Sequence, residues 1–152
     1  MKESERIGYQ LERSFEGDAW HGSAVLELLE GVTLAQARRR PIADAHTIAE
    51  IVRHMITWKR VVTRRLGGHA VSEVPPGVDW PPAAIGSLPQ WRALVTQLKR
   101  AHAALVAAAK KVGDETLDRA PAHGVTTRYV LLHGIIQHDL YHAGQIALLK
   151  KA

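Results

Sequence analysis

Apolar residues recur at three- and four-residue spacing along almost the whole chain, and no stretch alternates apolar and polar side chains as a half-buried strand does. This pattern restricts the fold to helices packed on helices. A first helix is expected over about residues 5 to 30, turning Ile7, Leu11, Phe15, Val25, Leu28 and Leu29 inward; Gly17 can kink or interrupt it near Trp20, and Gly31 ends it. A connection follows over residues 32 to 46 and contains Pro41. Thr47 and Glu50 stand at the spacing of a capping box and open a second helix that runs to Gly67-Gly68, with Ile48, Ile51, Met55, Trp58 and Val62 as its stripe.

Residues 69 to 86, with Pro75-Pro76 and Pro81-Pro82, read as a long irregular segment, which inside a compact domain is more often functional than neutral. Ser87 caps a third helix, with Pro89 in its first turn and Gln90 at the capping-box position. That helix carries Trp91, Leu94, Val95, Leu98, His102, Leu105 and Val106 and stops at Gly113. A fourth helix starts at Thr126 or Thr127 and runs to residue 152. Four amphipathic helices without a strand predict an all-α four-helix bundle in a single domain over residues 1–152. The long 69–86 connection lets the second and third helices lie parallel or cross over.

The net charge is +5, but the basic residues are scattered, as at Arg38-Arg39-Arg40, Arg64-Arg65, Lys110-Lys111 and Lys150-Lys151. Most fall where helices end, which suits the helix dipole and solvent better than a nucleic-acid stripe. No nucleic-acid partner is expected. The first six residues are charged and lack an apolar signal core, and no run of about 18 apolar residues exists to span a membrane. A cytoplasmic protein with no membrane partner is the expectation.

The chain has no cysteine, which removes disulfides, thiolate metal sites and a cysteine nucleophile. Nine histidines remain, and imidazole with carboxylate is then the strong ligand set for a transition metal. His138 and His142 stand four apart on the fourth helix, where both rings can reach one ion. Chance alone gives about 0.5 such pairs in a chain of this composition, so spacing is not proof. On the helical wheel His142 lies about 40° from His138 and Gln145 about 20° on the other side, within an apolar stripe holding Leu131 and Leu149. Polar groups there must be satisfied by one another, by water or by a metal.

His133 is about 140° away from His138 and cannot join that group. His46, His69 and His123 fall in connections. His102, beside Ala101 and Ala103, reads as core-edge or surface. His21 reads as a pocket or interface edge rather than a ligand. His54 sits mid-helix at the edge of the apolar stripe, a position open both to a third ligand and to a hydrogen-bonded core histidine. The opposite side of the fourth helix carries Leu132, Ile136, Leu140, Ala143 and Ala147, so this helix is either central in the bundle or packed on a second subunit, and a homodimer is the expected partner state.

The string His138-Asp139-Leu140-Tyr141-His142-Ala143-Gly144-Gln145-Ile146, preceded by Leu132-His133-Gly134, resembles the C-terminal motif of the DinB-like superfamily of metalloenzymes. Phe15-Glu16-Gly17-Asp18-Ala19-Trp20-His21-Gly22-Ser23 is similar to its first-helix motif. His46 to Trp58 is similar to its second-helix motif, and Asp79-Trp80-Pro81 falls in the expected loop. The resemblance implies an up-down-down-up four-helix bundle of the DinB/YfiT-like kind, commonly dimeric. It also implies a divalent metal held by one histidine of the second helix and two of the fourth, which by position are His54, His138 and His142.

An open site of three neutral imidazoles is of the catalytic type, and zinc, nickel, iron and copper all suit it. Two chemistries follow: hydrolysis by metal-bound water, and transfer from a metal-bound thiol brought by a small-molecule thiol cosubstrate. The resemblance extends to mycothiol-dependent isomerases and bacillithiol S-transferases, which favours thiol-dependent S-transfer. A metal-dependent hydrolase, or a non-catalytic metal-binding stress-response module, is the alternative. Gln145 is the candidate helper, able to hydrogen-bond a ligand ring or bound water. Asp139, about 100° from His138, reads as a supporting or surface group. Tyr141 reads as pocket rim, and Trp20 and Trp58 as apolar wall.

Overall fold

A computed structural model describes residues 1–71, 73–122 and 124–152. Among the described residues there is no strand. Four long helices form the bundle: α1 (Glu3–Glu16), α4 (Ile48–Leu66), α6 (Leu88–Lys110) and α7 (Arg128–Lys151). Three short ones lie in the connections: α2 (Val25–Leu29), α3 (Leu34–Arg38) and α5 (Pro76–Asp79). The expected caps are in place. Thr47 Oγ1 accepts from the Glu50 amide at 3.2 Å while the Glu50 carboxylate accepts from the Thr47 amide at 2.8 Å. Thr127 accepts from the Val130 amide at 3.2 Å and opens α7, and Ser87 accepts from the Gln90 amide at 3.4 Å to open α6.

The first helix departs from expectation. It ends at Glu16 and does not continue to residue 30. Asp18 takes a left-handed φ of 57°, held by Arg13, whose Nε donates to the Asp18 carbonyl at 2.8 Å and whose guanidinium pairs with the Asp18 carboxylate. A non-glycine residue in that conformation stops helix propagation. The chain turns back and resumes as α2, which still buries Val25 and Leu29.

Helix directions follow from which residues meet. Ile51 of α4 lies beside Leu149 of α7, and Val62 and Arg65 lie beside Leu131, so α4 and α7 are antiparallel. Ile48, Ile51 and Met55 share a core cluster with Trp91, Leu94 and Leu98, whereas Val62 clusters with Leu105, Val106 and Ala109, so α4 and α6 are parallel. Phe15 stacks on His102 while Lys110 pairs with Glu12, which makes α1 antiparallel to α6. The bundle is up-down-down-up, and the segment from residue 69 to 86 is the crossover that a parallel second pair requires. No helix of the described residues is long and apolar enough to cross a membrane.

A polar layer divides the core. Lys59 of α4 and Asp139 of α7 are both 0% exposed, and the ammonium donates to both carboxylate oxygens at 2.8 and 2.5 Å. Its Nζ also faces His102 Nδ1 of α6 at 3.2 Å and lies 4.7 Å from the centre of the Phe15 ring of α1. All four long helices therefore meet at one ammonium group. Burial pushes the Lys59 ammonium down and the Asp139 carboxyl up, and their mutual attraction opposes both. Burial, with the Lys59 charge, drives His102 down to about 2 and keeps it neutral, able to accept at Nδ1. The expectations for His102 as core-edge or surface, and for Asp139 as a supporting or surface group, are thus corrected. Both are interior, because each has a partner on another helix far away in the sequence.

Removing one member of a buried pair strands the other charge, whereas replacing both removes the desolvation cost with the attraction. Lys59→Met is expected to lose about 3–5 kcal/mol in urea denaturation, and Lys59→Met with Asp139→Leu to recover to about the wild-type value.

Candidate metal centre

His54 comes from the middle of α4, and His138 and His142 from successive turns of α7 facing it. Nε2 of His138 lies 2.9 Å from Nε2 of His54 and 3.2 Å from Nε2 of His142. One nitrogen from each ring falls within 4.8 Å of the others. Nitrogens bound at about 2.0–2.1 Å around a tetrahedral ion stand about 3.3 Å apart, so these separations suit a single cation.

The outward nitrogens settle which atoms carry protons. His54 Nδ1 faces two acceptors on Asp79, the backbone carbonyl at 2.8 Å and Oδ1 at 3.0 Å, so it is an N–H donor. His142 Nδ1 donates to Gln145 Oε1 at 2.6 Å. Both rings therefore turn Nε2 lone pairs inward. A proton on His138 Nε2 can serve only one of them, and a proton on His138 Nδ1 finds no acceptor among the described residues. Every arrangement of protons on three neutral rings leaves a buried polar group unpaired. A cation at the centre takes all three inward lone pairs and leaves only the Nδ1–H of His138 without an acceptor among the described residues, so the donor set fits it.

The electrostatics agree. Burial lowers all three rings, His138 to about 3 and His142 to about 4, helped in His138 by the neighbouring His142 and His54. Neutral imidazoles are what a metal binds. Gln145 and Asp79 hold ligand rings from outside, as metal-site partners do.

The crossover segment builds the wall. α5 ends at Asp79, whose Oδ1 accepts from Trp58 Nε1 at 2.7 Å. Trp80 then lies flat on His54, with ring centres 3.8 Å apart, and its ring also stacks with His46 at 3.6 Å. Trp58 stands edge-on to His54 at 6.4 Å, as the expected wall residue. Trp20 does not: it is 103% exposed, because the chain breaks at Asp18 before reaching it. Trp80 is the aromatic that covers His54. His46 belongs to this wall although it was expected only in a connection. Tyr141 is exposed, with its ring 5.2 Å from His142, at the rim. His133 packs on Tyr129, His21 and His69 are exposed, and His123 lies outside the described residues.

The chain matches the DinB superfamily over residues 19–146 and belongs to it. α1 precedes the matched stretch, yet it supplies Ile7, Leu11 and Phe15 to the core. No curated protein matches the chain, and no solved structure does.

In metal-free protein, long-range nitrogen NMR spectra should show His54 and His142 protonated at Nδ1 and bare at Nε2. His142 should stay neutral from pH 8 down to about pH 5, where an ordinary imidazole is already charged, and His54 should titrate below the ordinary imidazole range.

Proposed function

We propose that this chain is a metal-dependent enzyme that uses a small thiol cosubstrate for S-transfer to an electrophile, with His54, His138 and His142 as ligands to zinc, nickel or iron. The observation that carries the reading is the convergence of three inward Nε2 atoms, two of them on rings, His54 and His142, whose outer nitrogens are already anchored. When bound, a divalent ion supplies Lewis acidity that makes a thiol or a water nucleophilic near neutral pH. Gln145 and Asp79 orient the rings, while Trp58 and Trp80 exclude water from one side.

Thiol chemistry is favoured over hydrolysis by the absence of a placed general base among the described residues. The carboxylate nearest the site, Asp79, is held by Trp58 Nε1 and His54 Nδ1. A nucleophile that ionises readily suits such a site, and a thiol, with a pKa of about 8.5, does so far more easily than water. In the transfer an S–C bond forms, the leaving group departs with its electron pair, and the thiol proton passes to solvent.

Protein purified from metal-replete cells should carry a stoichiometric divalent ion by elemental analysis. His54→Ala and His142→Ala should lose it while keeping wild-type helical circular dichroism, and Gln145→Leu should bind it about 10–100-fold more weakly. Turnover of a panel of thiols with electrophiles should vanish in the two alanine variants. Thiol-independent cleavage of esters or amides would instead assign a hydrolase, and metal without any turnover a binding module. A metal-free, fully folded wild type would overturn the metal reading.

A homodimer is proposed through the C-terminal half of α7. Tyr141 and Leu148 are 66% and 69% exposed, with exposed Gly144 between them and exposed Ile42 beside Leu148. These positions recur at the three- and four-residue spacing of a helix seam and carry no charge. Sedimentation equilibrium should give a dimer for wild type and a monomer for Tyr141→Glu with Leu148→Glu.

A further inference from the structure

A groove of about 320 Å³ opens between α4 and α7, and His138 forms one end of it. Its floor is apolar, made by Trp58, Val62, Leu131 and Ile135. Gly134 adds room, since a Cβ there would meet nothing within 4 Å. Arg65 stands at the far end. Its Nε donates to the Val71 carbonyl at 3.0 Å, which fixes the side chain, and its guanidinium carbon lies 5.9 Å from the Trp58 ring. Among the described residues Arg65 pairs with no carboxylate, and its two terminal nitrogens make no hydrogen bond. No acidic residue is found among the described residues lining the groove. A second recess of about 320 Å³ continues past Arg65 and shares Thr126 and Leu131 with the first. A fixed guanidinium without an anion, at one end of an apolar trough, is complementary to a carboxylate on an apolar body.

The same helix face sets the length. His54, Trp58, Val62 and Arg65 fall at i, i+4, i+8 and i+11 of α4 and lie along one stripe. The Trp58 ring is 6.2 Å from the His138 ring and 5.9 Å from the Arg65 guanidinium carbon. A molecule that reaches from the histidines to Arg65 must therefore cross the indole and extend on the order of 10 Å, which excludes acids of two or three carbons.

The geometry points to an elongated, apolar-bodied organic carboxylate as the substrate class, with Arg65 as the residue that selects its acid group. This rests on the reading of the three histidines as the reactive end of the groove. Arg65 is assigned to binding the remote end of the substrate, not to the reacting atoms.

The test is calorimetric titration with phenylhexanoate and its neutral match phenylhexanamide, on protein as purified and again after chelation. Chelation prevents a carboxylate from scoring by binding a metal directly. In both states wild type should bind the acid about tenfold or more tightly than the amide. Arg65→Gln should lose that preference and keep the amide affinity. Arg65→Lys, with the charge but not the fork, should keep part of the preference. Equal binding of acid and amide by wild type, no saturable acid binding at millimolar concentration, or an undiminished preference in Arg65→Gln would overturn the assignment. Failure of the metal reading is scored separately, by elemental analysis of the same sample, and leaves the acid preference of the chelated protein unchanged.

Discussion

The buried pair of Lys59 and Asp139 is the contact on which the geometry of the site depends. Asp139 follows His138 directly, so the two side chains leave α7 about 100° apart. With Asp139 drawn to the bundle centre by Lys59, His138 is aimed toward α4, where His54 stands. Lys59 lies five residues beyond His54 on α4, so one ion pair fixes the rotation of both helices that carry the three histidines. A purely apolar core would tolerate small rotations of α7 at little cost, because apolar contacts have no preferred direction. A charge pair with no access to water does not tolerate them, and His102 and Phe15 tie the remaining two helices to the same point.

The wall around the histidines solves a different problem. An open three-histidine site on the side of a bundle is exposed to water and to stray ligands. The crossover that the parallel pair α4 and α6 requires is folded over it, so the topology itself supplies the cover. Pro75 and Pro76 start α5, Asp79 ties its end to Trp58 and His54, and Trp80 is thereby laid on the ring of His54. The length of the 69–86 segment is thus explained by two demands met together: spanning the bundle and closing one side of the site.

Local signals made much of this readable without coordinates. Thr47, Ser87 and Thr127 announce their helices because a cap is a contact between residues three apart. The pair His138 and His142 is readable for the same reason, and His54 by its place on the apolar edge and by family resemblance. What escaped depends on contacts far apart in sequence. Lys59 and Asp139 are 80 residues apart, and Trp80 covers a ring 26 positions earlier in the chain. A signal for the ion pair was nonetheless present. Lys59 falls four residues after Met55, and Asp139 four residues after Ile135 and four before Ala143, so each charge stands on the buried face of its helix. A lone charge in that position requires a counter-charge, and the chain offers one of each sign. The break of the first helix at Asp18 was less accessible, since Gly17 is tolerated within helices and the deciding contact is the turn closed by Arg13.

The two buried polar assemblies are built differently, one by pairing opposite charges and the other by gathering lone pairs. Around Lys59 the charges match, and the ammonium spends its three protons on Asp139 and His102, leaving His102 Nε2 without a partner among the described residues. Around His54, His138 and His142 the lone pairs exceed the protons able to satisfy them, and the anchored outer nitrogens of His54 and His142 keep those two rings from turning to relieve the excess. A balanced network is what a protein uses to hold helices in register. A cluster of inward lone pairs, kept neutral by burial and aimed at a single point, is a donor set suited to a cation at that point. The first network therefore holds in place the helices that bring the three histidines together.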